Sequence, residues 1–283
     1  MDQRILLPTD FSKNALNAIR YATDLYAEQE CTFFLLHVYK ADSFSIDGSA
    51  YRPKEGERSY EIEKKKTEEQ FEKLMKMLRL RPANPKHTFE IVVTYDTLFD
   101  AAKAVIAKRD IDMIFMGTKG MTGSRTVIFG TNTIKIMEGI TECPVLAVPE
   151  DIGFSPFKEI VFPTDFKNPF KRRELIYMTH IAQLHHAFIR ILYIRKSDKL
   201  TPEQQDHKVL LESILKNTDH SFHELEDLSV QAGINAFLES RNSSMVAFMN
   251  RKHSFFSSIL SKPLVKELGY HSKVPVLVLK DWT

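Results

Sequence analysis

Two stretches of this chain repeat each other: residues 5–12 read ILLPTDFS and residues 160–167 read IVFPTDFK. Each is a short apolar run closed by Pro-Thr-Asp-Phe. The correspondence continues in the same order downstream. FFLLHVY from Phe33 matches FIRILYI from Phe188, and HTFEIVV from His87 matches HSFHELE from His220. IDMIFMG ending at Gly117 matches SMVAFMN ending at Asn250, and CPVLAVP from Cys143 matches VPVLVLK from Val274. Self-similarity in a fixed order marks a duplicated structural unit. The length of 283 residues allows two units, each able to bury a core. The boundary falls in EDIGFSPFK, Glu150–Lys158, which reads as a linker and sets domains at 1–150 and 158–283. The first unit alone carries an excursion, ADSFSIDGSAYRPKEGERSY from Ala41.

Within each unit, short runs rich in Ile, Val, Leu and Phe alternate with amphipathic stretches. The clearest helix is Tyr60–Leu80, with Ile62, Phe71, Leu74 and Met77 at helical spacing and its many charges on a solvated face. Alternating strands and helices predict an α/β fold: two tandem doubly wound domains, each a five-stranded parallel sheet with helices on both faces. Near-continuous apolar strands such as IDMIFM fit parallel strands buried on both sides. Ligands of such sheets bind at the carboxyl ends of the strands, at the switch point.

Composition excludes several functions. Lys plus Arg number 39 against 37 Asp plus Glu, too even a balance for a nucleic-acid binder. No apolar run is long enough to cross a membrane, and MDQRILLPTDF lacks a secretory h-region. Cys31 and Cys143 are the only cysteines, which fits small core residues in a reducing, cytoplasmic compartment.

The fourth strand of the first unit runs into GTKGMTGSRTVIFGTNTIKIMEG, with the frame Gly117-x2-Gly120-x9-Gly130-Thr131. Gly117 and Gly120 would let backbone lie close to a ligand. Gly130 and Thr131 would open the next helix, whose free N–H groups and positive end favour an anion. Thr131 adds a hydroxyl and is a plausible cap. Neither the Gly-x4-Gly-Lys-Ser/Thr frame nor a glycine fingerprint in the first strand–helix turn is present.

ILLPTDFS, LLHVY, DMIFMGTKG, the Gly117–Thr131 frame and CPVLAVP together resemble the universal stress protein family, over nearly the whole chain as a tandem pair. The resemblance implies a Rossmann-like, adenine-nucleotide-hydrolase-type sheet. It also implies binding of ATP, or of ADP or AMP, with Mg²⁺, and a role in stress response through protein partners. Carried over by position, Asp10 would reach the ribose and Pro8 and Thr9 would shape its turn. Val38 would meet the adenine edge through its backbone, and Gly117 would approach the ribose. Gly120, Gly130, Thr131 and Asn132 would hold the phosphates, with Lys119 and Arg125 in the same loop. Asp10 could also cap the helix that begins near Ser12. The family pairs its last strands antiparallel across a dimer axis. Both copies lie in one chain here, so the pairing is expected inside it as a pseudo-dimer, to which further dimerisation could add.

The second unit keeps Pro163-Thr164-Asp165-Phe166 and sets Ile194 opposite Val38, but loses the glycines. Asn250 stands for Gly117 and His253 for Gly120, and Ser261-Lys262-Pro263 replaces the helix opening. A non-binding copy is expected. Eight of the ten histidines lie in it. His220 and His223 point to opposite faces of a strand, and His185 and His186 diverge, so these are not expected to form a metal site. No nucleophile elbow, His-Glu-x2-His or kinase signature is present, so catalysis is at most slow ATP hydrolysis or self-phosphorylation. A slow ATPase or nucleotide-transfer enzyme, and a scaffold with a vestigial site, are the alternatives to a nucleotide-dependent regulator.

Overall fold

The computed structural model describes residues 2–39, 55–118, 129–195, 199–226, 229–251 and 274–281. The first half contains β1 (Gln3–Pro8), α1 (Lys13–Leu25), β2 (Cys31–Val38), α2 (Arg58–Arg79) and β3 (His87–Thr94). It continues with α3 (Leu98–Arg109), β4 (Met113–Gly117), α4 (Thr131–Gly139) and β5 (Val145–Val148). The second half contains β6 (Glu159–Pro163), α5 (Arg172–Leu184), β7 (Phe188–Ile194), α6 (Pro202–Leu215) and β8 (His220–Leu225). It ends with α7 (Val230–Arg241), β9 (Met245–Asn250) and β10 (Val276–Lys280).

The ten strands form one sheet in the order β3-β2-β1-β4-β5-β10-β9-β6-β7-β8. Five strands in the order 3-2-1-4-5 are followed by five in the mirrored order. Every neighbouring pair is parallel except the central one. There β5 and β10 run antiparallel, with Val276 opposite Ala147, Leu277 opposite Leu146 and Val278 opposite Val145.

Period-two alternation splits the strands between two cores. Ile5, Leu7, Phe33 and Leu35 face one side, with α1, α2, α5 and α6 packed over them. Leu6, Phe34, Leu36 and Ile114 face the other, under α3, α4 and α7. Both layers continue across the central pair into the second half.

α2 starts two residues before the predicted helix, and its buried stripe is Thr67, Phe71 and Leu74. Ile62, expected in that stripe, is 56% exposed. The reason is helix geometry: at about 100° per residue Ile62 points roughly 180° away from Phe71, while Tyr60 in the same first turn packs on Tyr39 and Tyr95.

The segment between the halves is packed rather than a free tether. Asn17 on α1 donates through Nδ2 to the carbonyls of Pro149 and Ile152, both at 2.9 Å. Phe154 and Phe157 pack on Tyr21 of α1 and on His185 at the end of α5. The imidazole Nε2 of His185 donates to the Leu25 carbonyl at 3.0 Å.

At the opposite end of the sheet from the strand carboxyl ends, the buried Glu159 opens β6. It accepts from Arg190 Nε at 3.0 Å, Arg241 Nε at 2.9 Å and Ser243 Oγ at 2.7 Å. Burial pushes this carboxyl up, but the hydrogen bonds from Arg241, Ser243 and Arg190 outweigh it and hold the pKa below the usual range. Its contribution is thus present at neutral pH and is lost as pH falls below about 4. Glu159→Ala should destabilise the chain by roughly 3–5 kcal/mol, because two guanidinium groups lose their shared partner. Urea unfolding at pH 7 measures this, and a loss under 1 kcal/mol would show the network to be inert.

Burial also lowers the pKa of His37, His180, His185 and His223. The folded state keeps them neutral while the unfolded chain protonates them near pH 6.5. Stability should therefore fall as pH drops through about 6.5, seen as a lower urea midpoint at pH 5.5 than at pH 7.5. Equal midpoints would contradict it.

Candidate functional site

The Pro-Thr-Asp-Phe segment forms a self-braced turn. Thr9 is tied to β2 by its N–H, which donates to the Leu36 carbonyl at 2.8 Å. The N–H of Phe11 donates to Thr9 Oγ1 at 3.0 Å, and that of Ser12 to Asp10 Oδ1 at 3.1 Å. Phe11 adopts φ of +61°, a left-handed backbone that disfavours a bulky side chain. The two local bonds hold it there, and its ring packs on His37 and Phe71 at 4.7 and 4.9 Å. The second half repeats the device: Phe166 N–H to Thr164 Oγ1, Lys167 N–H to Asp165 Oδ1, and φ of +54° at Phe166.

The cap of α1 is Ser12, whose Oγ accepts from the Ala15 N–H at 3.2 Å. This corrects the expectation that Asp10 caps the helix. The carboxylate lies two residues before the cap, and its Oδ1 accepts from the Ser12 N–H.

β1 is flanked by β2 and β4, the place where strand order reverses. α1 leaves β1 on one face of the sheet, and α4 packs on the other. In open α/β sheets such a reversal is where ligands sit, beyond the carboxyl ends of the strands. Pro8, Thr9 and Asp10 stand there at the end of β1, with Pro8 and Thr9 buried. Val38 lies on the β2 side. Since Leu36 turns its carbonyl toward β1, Val38 two residues on turns its N–H and C=O the same way. The β1–β2 pairing ends at Pro8 opposite Leu36, so these groups lie past the last rung.

From β4 comes Gly117, fully within the sheet. Its glycine has a packing reason within the protein itself. A Cβ there would stand 3.0 Å from the Asn14 Cβ and 3.1 Å from the Asn14 carbonyl carbon and oxygen. The close approach is that of α1, not a demonstrated ligand. The loop after β4 is closed at its base, where the Gly130 N–H donates to the Thr118 carbonyl at 2.7 Å. Thr133 Oγ1 donates to the Gly117 carbonyl at 3.0 Å and fixes α4 to the end of β4. Neither Thr118 nor Thr133 was read as a site residue, yet both are buried. Gly130 is the cap of α4 and carries no side-chain cap bond, while Thr131 and Asn132 are exposed in its first turn. Thr131 is thus the first helical residue rather than the cap, and its N–H and that of Asn132 lack intrahelical partners. Gly120, Lys119 and Arg125 lie outside the described residues.

At the corresponding place in the second half, side chains pack against one another. Arg251, just past β9, donates through Nη2 to the Pro169 carbonyl at 2.7 Å and to Glu174 Oε2 at 3.0 Å. Its side chain is 11% exposed and that of Glu174 is fully buried. The guanidinium also lies over Phe170. Asn250, at the Gly117 position, sends Nδ2 to the carbonyls of Met137 and Glu138 at the end of α4. His253, Ser261, Lys262 and Pro263 lie outside the described residues. Among the described residues no three His, Cys, Asp or Glu side chains gather as metal ligands. His220 binds the Thr218 carbonyl, and His223 binds Ser221 Oγ.

Gly117→Ala should destabilise the ligand-free protein by about 1–3 kcal/mol, since backbone atoms of α1 must move. Thermal unfolding without ligand tests this. An unchanged midpoint would restore a purely ligand-based reason for the glycine.

The universal stress protein family model matches residues 1–149. A universal stress protein from Archaeoglobus fulgidus DSM 4304 is similar at 19% identity and a TM-score of 0.70, covering 98% of this chain and 96% of that one. A putative universal stress protein from Pseudomonas aeruginosa UCBPP-PA14 is similar at 14% identity and TM-score 0.59, covering 98% and 93%. The cytoplasmic domain of a prokaryotic cation chloride cotransporter shares the fold at 10% identity and TM-score 0.56, over 99% and 96%. No curated protein matches the chain. No described helix is long and apolar enough to cross a membrane. The matched half carries the braced turn, the closed loop base and the uncapped α4, and on that match the chain belongs to the universal stress protein family.

Proposed function

We propose that the first half binds one adenine nucleotide, ATP or its ADP or AMP relatives, and that the chain acts as a nucleotide-dependent stress-response regulator through protein partners. The carrying observation is the convergence on one crevice of three kinds of group. These are the carboxylate turn after β1, the outward backbone of Val38, and the uncapped N-terminus of α4. They match the three parts of a nucleotide. The Asp10 carboxylate can accept from a ribose hydroxyl. The Val38 N–H and C=O can pair with the adenine edge. The first-turn N–H groups at Thr131 and Asn132, with the helix dipole, suit phosphate oxygens.

Asn14 adds support. Its Oδ1 is buried beside Gly117 and has no hydrogen-bond partner among the described residues. A buried acceptor left unpaired is costly, and a sugar hydroxyl is a donor of the right kind. Mg²⁺ would accompany a triphosphate and neutralise its charge.

The two halves then have different roles. The first takes the ligand, while the second, its crevice closed by Arg251 and Glu174, gives the first half a fixed neighbour. Mass spectrometry of nucleotide released from denatured, freshly purified protein should give one equivalent per chain, or Mg-ATP titration should saturate at one. Two equivalents would refute the closed second crevice, and none by either method would refute the reading. Asp10→Ala should weaken ATP about tenfold, the loss of one charge-assisted hydrogen bond. Asp10→Asn keeps the oxygen that the Ser12 N–H needs, so it separates the turn from the charge.

A further inference from the structure

The motif LLHVY contains a histidine that the nucleotide reading leaves unused. His37 Nδ1 lies 2.9 Å from the Thr9 carbonyl oxygen. A backbone carbonyl only accepts, so Nδ1 carries the proton and donates. The ring is half-buried between Phe11, Phe71 and Tyr39, at centroid distances of 4.7, 6.3 and 6.0 Å. Burial lowers its pKa, against the raising effect of the Thr9 bond and of Asp10 and Glu63, so the imidazole is neutral at pH 7.

The residue stands at a junction. Its side chain holds Thr9, the residue before Asp10, and its backbone leads directly into Val38. The Thr9 N–H is already bound to β2 through the Leu36 carbonyl. The peptide flanks of the Asp10 turn are therefore tied to β2 from both sides of Thr9, once by the strand and once by the imidazole.

The second half shows that the turn itself does not need this histidine. Tyr193 occupies the matching position, and the turn there is held from α6 instead. Gln204 Nε2 donates to the Asp165 carbonyl at 2.7 Å, and His207 Nδ1 to the Phe166 carbonyl at 2.8 Å. The second half keeps the turn and its strand bond, Thr164 N–H to the Leu192 carbonyl at 2.9 Å, but not the side-chain tie to the second strand. In the first half the donor comes from the strand that also presents Val38.

We infer that His37 is a positioning residue of the nucleoside end of the site, fixing the distance between the Asp10 turn and the Val38 backbone through its Nδ1–H bond to Thr9. This inference rests on the nucleotide reading above.

The test uses geometry that separates the two ring nitrogens. Asn places its amide nitrogen where Nδ1 lies, Gln places it nearer Nε2, and Phe keeps the ring without a donor. Full-length wild type, His37→Asn, His37→Gln and His37→Phe are titrated with adenosine and, separately, with inorganic triphosphate. Adenosine affinity should fall about tenfold in the Phe and Gln variants, and His37→Asn should recover to within about threefold of wild type. Triphosphate affinity should change by less than about threefold in all of them. Melting temperatures monitor folding, and a variant that loses secondary structure is read from the Asn–Gln difference alone. Equal adenosine affinity in the Asn and Gln variants, or equal losses for adenosine and triphosphate, overturns the inference while leaving the nucleotide reading intact. Wild type that binds ATP but is insensitive to His37→Phe overturns it as well. Wild type that binds neither ATP nor adenosine removes both.

Discussion

The antiparallel pairing of β5 with β10 is the contact on which the molecule's organisation depends. Both strands are short, apolar and buried, with Val145, Leu146, Val276 and Leu277 at 6% exposure or less. In a five-stranded half standing alone, each would be a sheet edge with unpaired N–H and C=O groups and apolar side chains in water. Such an edge is a template for aggregation. Joining them removes two edges at once and lets both core layers run through the centre. The outer edges left over, β3 and β8, are of a different character. Their residues are mostly half-buried and include His87, Glu90, His220 and Glu224. Polar and charged side chains of that kind blunt an edge that must remain.

The central pairing also brings the two crevices into unequal positions. α4 has its uncapped N-terminus in the first crevice and its last carbonyls against Asn250 of the second half. The replacement of glycine by asparagine after β9 is therefore more than the loss of a ligand site. The amide satisfies carbonyls that the end of a helix leaves open. Arg251 next to it completes a buried ion pair with Glu174, a residue whose burial would be costly without a cation. The second half uses these residues for contacts that hold the first half's helix in place.

Much of this could be read from residues alone. Order-preserving repeats gave the two units, and apolar runs of near-continuous Val, Ile and Leu gave parallel strands, because buried strands have no polar face to show. The shared Pro-Thr-Asp-Phe segments located the first strand–helix turns. What pattern could not give was the reason for particular residues. Gly117 reads as space for a ligand, and the structure adds a packing reason that the sequence could not show, the close approach of Asn14. Asp10 looks like a cap because acidic residues favour caps, yet the adjacent Ser12 won the position. Ile62 lies nine residues before Phe71, half a turn out of phase, so it falls on the face opposite the buried stripe. His37, Thr118 and Thr133 were passed over because their roles are single hydrogen bonds to carbonyls, and carbonyls carry no sequence signal.

The repeated turn shows how far a motif can be separated from a ligand. Phe11 and Phe166 both sit in a left-handed conformation that costs about 1 kcal/mol or more for a residue with a side chain. In each half the hydroxyl and carboxylate of the two preceding residues accept the N–H groups that this conformation exposes. The aspartate is therefore required by the chain before any ligand arrives, and its presence in the second half implies no binding there. What distinguishes the halves is the surroundings of the turn. In the first, an imidazole from β2 draws it toward the strand that offers an outward backbone, and a glycine-capped helix faces it. In the second, α6 holds it from above and a guanidinium occupies the gap. A shared motif thus fixes the local backbone, and the neighbours it meets across the sheet decide whether that backbone borders an opening or a packed core.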